Sequence, residues 1–281
     1  MKFNHPALLA ILFATFLAAC NLTKEVKIDL PDYVSQPVVE CYLENGQPLK
    51  LLLTKSSPFF EPLGTPAEWL KGLFLDSATV VIVGPNSRDT LANSLVFNPL
   101  TNKIYNYSSP KICSFQTGET WQLEITLKDG GQISGQTTIV GPIKIDSIVT
   151  EWKANDTLAR VLTYIRDDLS KTDFYRRTLQ ESSLDSFPTI DFLVEDNFFN
   201  SEKVAFGTLY DFKEGDTLFN TIFHLEKPYF DYLNSVQISI QSNGNPFAQP
   251  AQIHSNVSGT ANPLGIFTHL RYDRVRTIVS R

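Results

Sequence analysis

The residues whose order most clearly prepares a reaction are Leu17-Ala18-Ala19-Cys20. Small residues lead into a cysteine, which is the bacterial lipobox pattern. A diacylglyceryl transfer needs a thiol, because sulfur is the nucleophile. Cleavage before Cys20 then frees its amine for a further acyl chain. The flanking sequence agrees with this. Lys2 supplies a positive start, and the run from Ala7 to Ala19 carries no charge over its 13 residues. A spanning helix needs about 20, so residues 1–19 read as an export signal. Two or more acyl chains hold a protein stably at a bilayer, at about 0.8 kcal/mol per buried methylene. Asn21 stands where an aspartate would mark inner-membrane retention. The expected location is therefore the outer membrane, in either leaflet.

Other groups that could do chemistry are scattered. His224, His254 and His269 are isolated, without His-x-x-x-His or Cys-x-x-Cys spacing, so no metal and no cofactor are expected. The acid pairs Asp167-Asp168 and Glu195-Asp196 alternate faces on a strand. Neither pair by itself offers the two opposed carboxylates of a glycosidase, and both read as solvated loop acids. No Gly-x-Ser-x-Gly elbow and no phosphate-cradling glycine loop occurs. No catalytic residue is assigned, and the chain is not expected to be an enzyme.

Cys41 and Cys113 remain after Cys20. An exported compartment permits a Cys41–Cys113 disulfide; the alternative is two buried free thiols. The aromatic clusters Pro58-Phe59-Phe60, Phe198-Phe199 and Tyr229-Phe230 with Tyr232 are either core or contact surface. The polar, proline-punctuated stretch from Asn245, Pro246 and Phe247 to Ser255 and Asn256 is a candidate binding loop, or a loop packed to close the fold. Asp followed by Ser or Thr and then an apolar residue occurs around Ser77, Thr90, Ser147, Thr157 and Thr217. Average composition gives about one such triplet. The five hydroxyls are O-glycosylation candidates, against the alternative of turn chemistry that opens a strand.

The elements that must carry these residues are mostly strands. With 20 Phe and 10 Tyr the aromatic bias favours β-structure. VVECYL and LKLLLT flank Asn45-Gly46, a hairpin signal. WQLEITL and QISGQTTI flank Asp129-Gly130-Gly131 in the same way, and ATVVIV (78–83) is a buried strand. Residues 56–75 read as a long loop. Further strands are expected at 160–167, 173–181, 204–212 and 217–225, then in GIFTHLRYD and RVRTIVS. Pro228 to Ile240 carries a helical stripe of Tyr229, Tyr232, Leu233, Val236 and Ile240. The fold expected is all-β: two β-sandwich domains, the first immunoglobulin-like, with one short helix in the second. The divisions are a signal peptide (1–19), a lipidated tether (20–36), an N-terminal sandwich (37–141) and a C-terminal β-rich domain (142–281), parted at Gly141-Pro142. The formal net charge is −6 without a basic run, which argues against nucleic acid as a partner.

The chain resembles the lipoproteins of the domain-of-unknown-function 4249 family, of Bacteroidota type. The resemblance is carried by the lipobox cysteine, KIDLP (27–31), VVECYLENG (38–46) and LLLTKSSPFF (51–60). It continues through SATVVIV (77–83), GETWQLEI (118–125), NGNPFAQPAQIHSNVSG (243–259) and LGIF (264–267). Cys41 and Cys113 are not part of that pattern. The resemblance brings no catalytic residue. It implies a lipoprotein of unknown activity whose partner is a TonB-dependent outer-membrane receptor, since the family's genes often stand beside such receptors. The leading expectation is a binding or accessory component anchored through Cys20. The alternatives are a hydrolase of surface or environmental polymers and a glycan-binding surface adhesin.

Overall fold

The computed structural model describes residues 33–57, 65, 72–98, 103–154, 157–199, 201–242 and 252–281. Alternation of apolar and polar residues builds the first hairpin. In Pro37–Glu44 (β1) and Pro48–Lys55 (β2) every second side chain is buried. The turn between them uses Gly46 at φ +78°, where a side chain would be strained. The chain continues through β3 (Thr79–Gly84), β4 (Ser87–Asn98), β5 (Lys103–Ile112), β6 (Thr120–Thr126) and β7 (Gln132–Thr138). Then follow β8 (Ile145–Trp152), β9 (Leu158–Arg166), β10 (Phe174–Glu181), β11 (Ile190–Glu195), β12 (Lys203–Gly207), β13 (Phe212–Lys213) and β14 (Thr217–Leu225). A helix, α1 (Lys227–Ser242), precedes β15 (Val257–Ser258) and the long β16 (Leu264–Ile278). The protein is mainly β, as its residue pattern predicts.

Two sheets result. The larger has twelve strands in the order β11-β10-β14-β16-β1-β2-β5-β4-β3-β6-β7-β15. The smaller joins β12, β8 and β13 to β9. β16 lies parallel to β1, with Phe267 opposite Cys41, and antiparallel to β14. It therefore belongs to both halves of the chain, and Ser35–Arg281 clusters as one compact unit. Gly141-Pro142 falls in the connection from β7 to β8. The close approach of β1 and β16 depends on Gly265. Its φ is +123°, and a Cβ there would lie 1.9 Å from the Val39 carbonyl oxygen.

The sandwich cores follow from this order. β1, β2 and β5 face β3, β6 and β7 across a core containing Val39, Leu51, Tyr107, Ile82, Leu123 and Ile133. The smaller sheet packs on one face of β10 and β14 through Val161, Leu179, Phe212 and Leu218, and through Ile165, Tyr175, Phe206 and Ile222. On the opposite face Phe174, Leu225 and Ile266 pack against Tyr229 of α1. Alternation along β10 sends Tyr175 and Arg177 toward the smaller sheet, and Phe174 and Arg176 toward the helix side.

Two expected elements differ in extent. The stretch 204–212 is two short strands, β12 and β13, each paired with β9. The two closing strands at the C-terminus are one strand of 15 residues. Both results come from pairing. β9 is long enough to hold two short neighbours, and β16 has partners along its whole length.

Candidate functional site

The side of the large sheet under α1 holds a cavity of about 410 Å³. It lies where β16 joins the two halves, and β1, β2, β5, β10, β14, β16 and α1 all contribute to its wall. Strand alternation decides which residues face it. Val39, Cys41 and Leu43 turn into the sandwich core, which leaves Tyr42 and Glu44 on the cavity side. Tyr105, Phe223 and Tyr229 add aromatic surface. The Tyr42 and Tyr229 ring centroids are 5.9 Å apart. Burial drives the Tyr42 hydroxyl well above its ordinary range and the Tyr229 hydroxyl up to about 12, so both stay neutral.

Cations are set against these rings. Lys103 Nζ sits 5.1 Å from the Tyr42 ring centroid and 2.6 Å from Glu40. Arg176 lies 5.7 Å from the Phe223 centroid and donates to both Asp191 oxygens, at 2.7 and 2.6 Å. Tyr272 donates to Glu44 at 2.6 Å. Among the described residues no hydrogen bond or ion pair engages the Lys50 ammonium. The described lining is Tyr, Phe, Lys, Arg, Glu, Gln, Asn, Pro and Leu. Aromatic faces, fixed cations and a concave apolar floor are the parts of a binding site.

One buried polar network has the residue types of a catalytic relay without its access. His269 Nε2 accepts the Val140 N–H at 3.1 Å. Its Nδ1 then carries the proton and donates to Thr137 Oγ1 at 2.9 Å. Thr137 donates to Glu226 Oε1, as does Thr268 at 2.9 Å, and the Thr138 N–H donates to Oε2. Thr137 and His269 are each 1% exposed, so no substrate reaches them. The network bolts β7 and β16 to the start of α1.

The residues singled out from sequence fare differently. Cys20, Pro58-Phe59-Phe60 and Asn245, Pro246 and Phe247 lie outside the described residues. Ser255 and Asn256 hold the backbone of β16. Ser255 Oγ accepts the Gly265 N–H, and the Asn256 amide bridges to Phe267 N–H and C=O at 2.8 and 2.6 Å. Cys41 and Cys113 are both buried free thiols, not a disulfide. Burial raises both, Cys113 to about 12 and Cys41 beyond it, and Cys41 Sγ donates to the Lys50 carbonyl. Ser77, Thr90, Ser147 and Thr157 are exposed, and Thr217 is half-buried. Their aspartates are engaged at turns and strand starts: Asp89 with Lys111, Asp146 with Arg166, and Asp216 with the Lys213 N–H.

Phe199 is core, stacked with Tyr175. Tyr229 packs with Phe174, Leu225 and Ile266 and also lines the cavity. Two acids need correction: Asp167 and Asp196 are 7% and 6% exposed, not solvated. Asp167 follows β9 and Asp196 opens the 3-10 turn after β11; their neighbours Asp168 and Glu195 are exposed and half-buried. Sequence reasoning also missed Tyr42, Lys103, Tyr105, Arg176 and Phe223. Alternation along β1 marks Tyr42 as outward, but no local signal says what lies over that face. Among the described residues no helix is long and apolar enough to cross a membrane.

The model of one protein family, the domain of unknown function DUF4249, matches residues 23–275. No curated protein matches the chain.

Proposed function

The chain belongs to the DUF4249 family, and from that premise we propose that it is a lipid-anchored binding protein of the outer membrane. In this reading Cys20 carries the anchor and a TonB-dependent receptor is the partner. The cavity beside α1 holds a small polar ligand with a ring or apolar face. The observation that carries the binding role is the cavity itself, where Tyr42, Tyr105, Phe223 and Tyr229 meet Lys50, Lys103 and Arg176. The lipobox at Leu17–Cys20 supports the anchor, and Asn21 supports the outer membrane. Ser77, Thr90, Ser147 and Thr157 are exposed enough for O-glycans; an intact mass from native membranes equal to lipidated protein only would remove that part.

The test is affinity purification of the tagged chain from native membranes in mild detergent. A TonB-dependent receptor is expected to co-purify, and Cys20→Ser is expected to move the protein to the soluble fraction. Loss of receptor with Tyr42→Ala or Arg176→Ala, in protein still membrane-bound, would tie the cavity to the complex. A variant Cys20→Ser that stays with membranes after a salt wash would end the anchor reading. Recovery of no receptor would end the partner reading.

A further inference from the structure

The connection from β9 to β10 and the 3-10 turn at Asp196–Phe198 bring three carboxylates together. Asp167, Asp173 and Asp196 each place an oxygen within 4.8 Å of the other two. The residues are 7%, 7% and 6% exposed. Most of their oxygens have protein partners. Tyr175 donates its hydroxyl to Asp167 Oδ1 at 2.6 Å, and the Asp173 N–H donates to Asp196 Oδ2 at 2.6 Å. Lys171 Nζ reaches both Asp173 oxygens, at 2.8 and 2.6 Å, and His224 Nε2 lies 3.1 Å from Oδ1. One oxygen differs: Asp167 Oδ2 is enclosed and has no hydrogen-bond partner among the described residues. Its residue lines a polar concavity of about 250 Å³ together with Asp196, Ser170, Lys171, Thr172 and Asn197.

A bare carboxylate oxygen in this position is costly. Burial removes its water, and two neighbouring carboxylates repel it. Lys171 answers Asp173 and leaves Asp167 Oδ2 unserved. What would serve it is a cation that several oxygens can share. Three carboxylates, a loop that can add carbonyls, and room for water match Ca²⁺, which takes about six to eight oxygens in a flexible shell. Mg²⁺ is less suited, because it demands a near-ideal octahedron and keeps its waters. We propose that Asp167, Asp173 and Asp196 form a binding site for a divalent cation of the Ca²⁺ type, with Lys171 as the counter-charge that the metal displaces. The Lys171 side chain is 49% exposed, so its ammonium can turn outward when the ion enters through the 169–172 loop. The bound ion ties the β9–β10 connection to the turn after β11. It thereby fixes the start of β10, the strand that carries Arg176 to the cavity.

The test uses the full chain in detergent, stripped with chelator and titrated with Ca²⁺ alone, with Mg²⁺ in parallel. One saturable Ca²⁺ site per chain is expected, with a dissociation constant of about 10⁻⁴–10⁻³ M, the range of extracellular modules. Tb³⁺ is expected to luminesce on tyrosine excitation, because Tyr175 hydrogen-bonds a ligand carboxylate, and Ca²⁺ is expected to quench that signal by displacement. Asp167→Asn should weaken Ca²⁺ about tenfold or more, and Lys171→Ala, at an exposed side chain, should tighten it. Absence of saturable binding would overturn the proposal and leave Asp167 Oδ2 to a proton. So would a folded Asp167→Asn protein with unchanged affinity, because the ion would then sit on other acids. If Asp167→Asn does not fold, Lys171→Ala decides: tighter binding supports the site, and unchanged binding refutes it.

Discussion

Replacing His269 with glutamine probes the bolt between β7, β16 and α1. The ring is neutral by its hydrogen bonds: Nε2 accepts from Val140, and Nδ1 donates to Thr137. A proton on Nε2 would set two donors against each other. Burial, and after it the nearby Arg271 and His224, hold this imidazole down at about 4 from its usual 6.5. Between pH 6.5 and 4 the unfolded chain thus binds a proton that the native chain refuses. Stability therefore rises with pH through that window and is lost on acidification. At about 1.4 kcal/mol per pH unit, His269 accounts for about 3 kcal/mol of loss between pH 7 and pH 4.

Glu226 pulls the other way, because burial raises its carboxyl and stability falls as pH climbs just above its usual value. The variant keeps Glu226, so the difference between the two profiles isolates His269. At pH 7 the variant should be less stable by about 1–3 kcal/mol, the cost of disturbed buried hydrogen bonds. That gap should close, or reverse, by pH 4. The assay is urea denaturation at a series of pH values, followed by tryptophan fluorescence. Parallel profiles for the two proteins would refute the reasoning.

Two further predictions concern the sheets. Arg177 is 0% exposed and donates to the Phe206 and Gly207 carbonyls at 2.7 and 3.0 Å and to Thr163 and Asn220 at 3.2 Å. Arg177→Ala should cost about 3–5 kcal/mol by denaturation midpoint, from unpaired acceptors and a void between the sheets; Arg177→Met, which refills the volume, should cost less, and equal costs would contradict the packing part. Gly265→Ala should prevent β1 and β16 from closing, at about 3 kcal/mol or more, and should expose the β1 amides to hydrogen exchange. Gly141→Ala, where a Cβ would meet nothing within 4 Å, is the control and should be near neutral.

The sequence by itself determined what depends on neighbours along the chain. Alternation of one residue in two set β1 and β2, Asn45-Gly46 set their turn, and the stripe after Pro228 set the helix. The ordered motifs from KIDLP to LGIF pointed to the family that the match over residues 23–275 establishes.

What only the tertiary structure decided is which segments meet and what covers them. Nothing near Val39 announces that Gly265 will lie beside it in a parallel pair. Asp167 and Asp196 look like surface acids until the strands around them remove the water. Cys41 and Cys113 stay free thiols in one core. The cavity exists because β16 brings Tyr42 and Lys103 of one half beside Arg176 and Phe223 of the other. Local pattern reports which face a side chain takes. Burial, charge balance and the cavity depend on long-range pairing, which a periodicity of two residues does not encode.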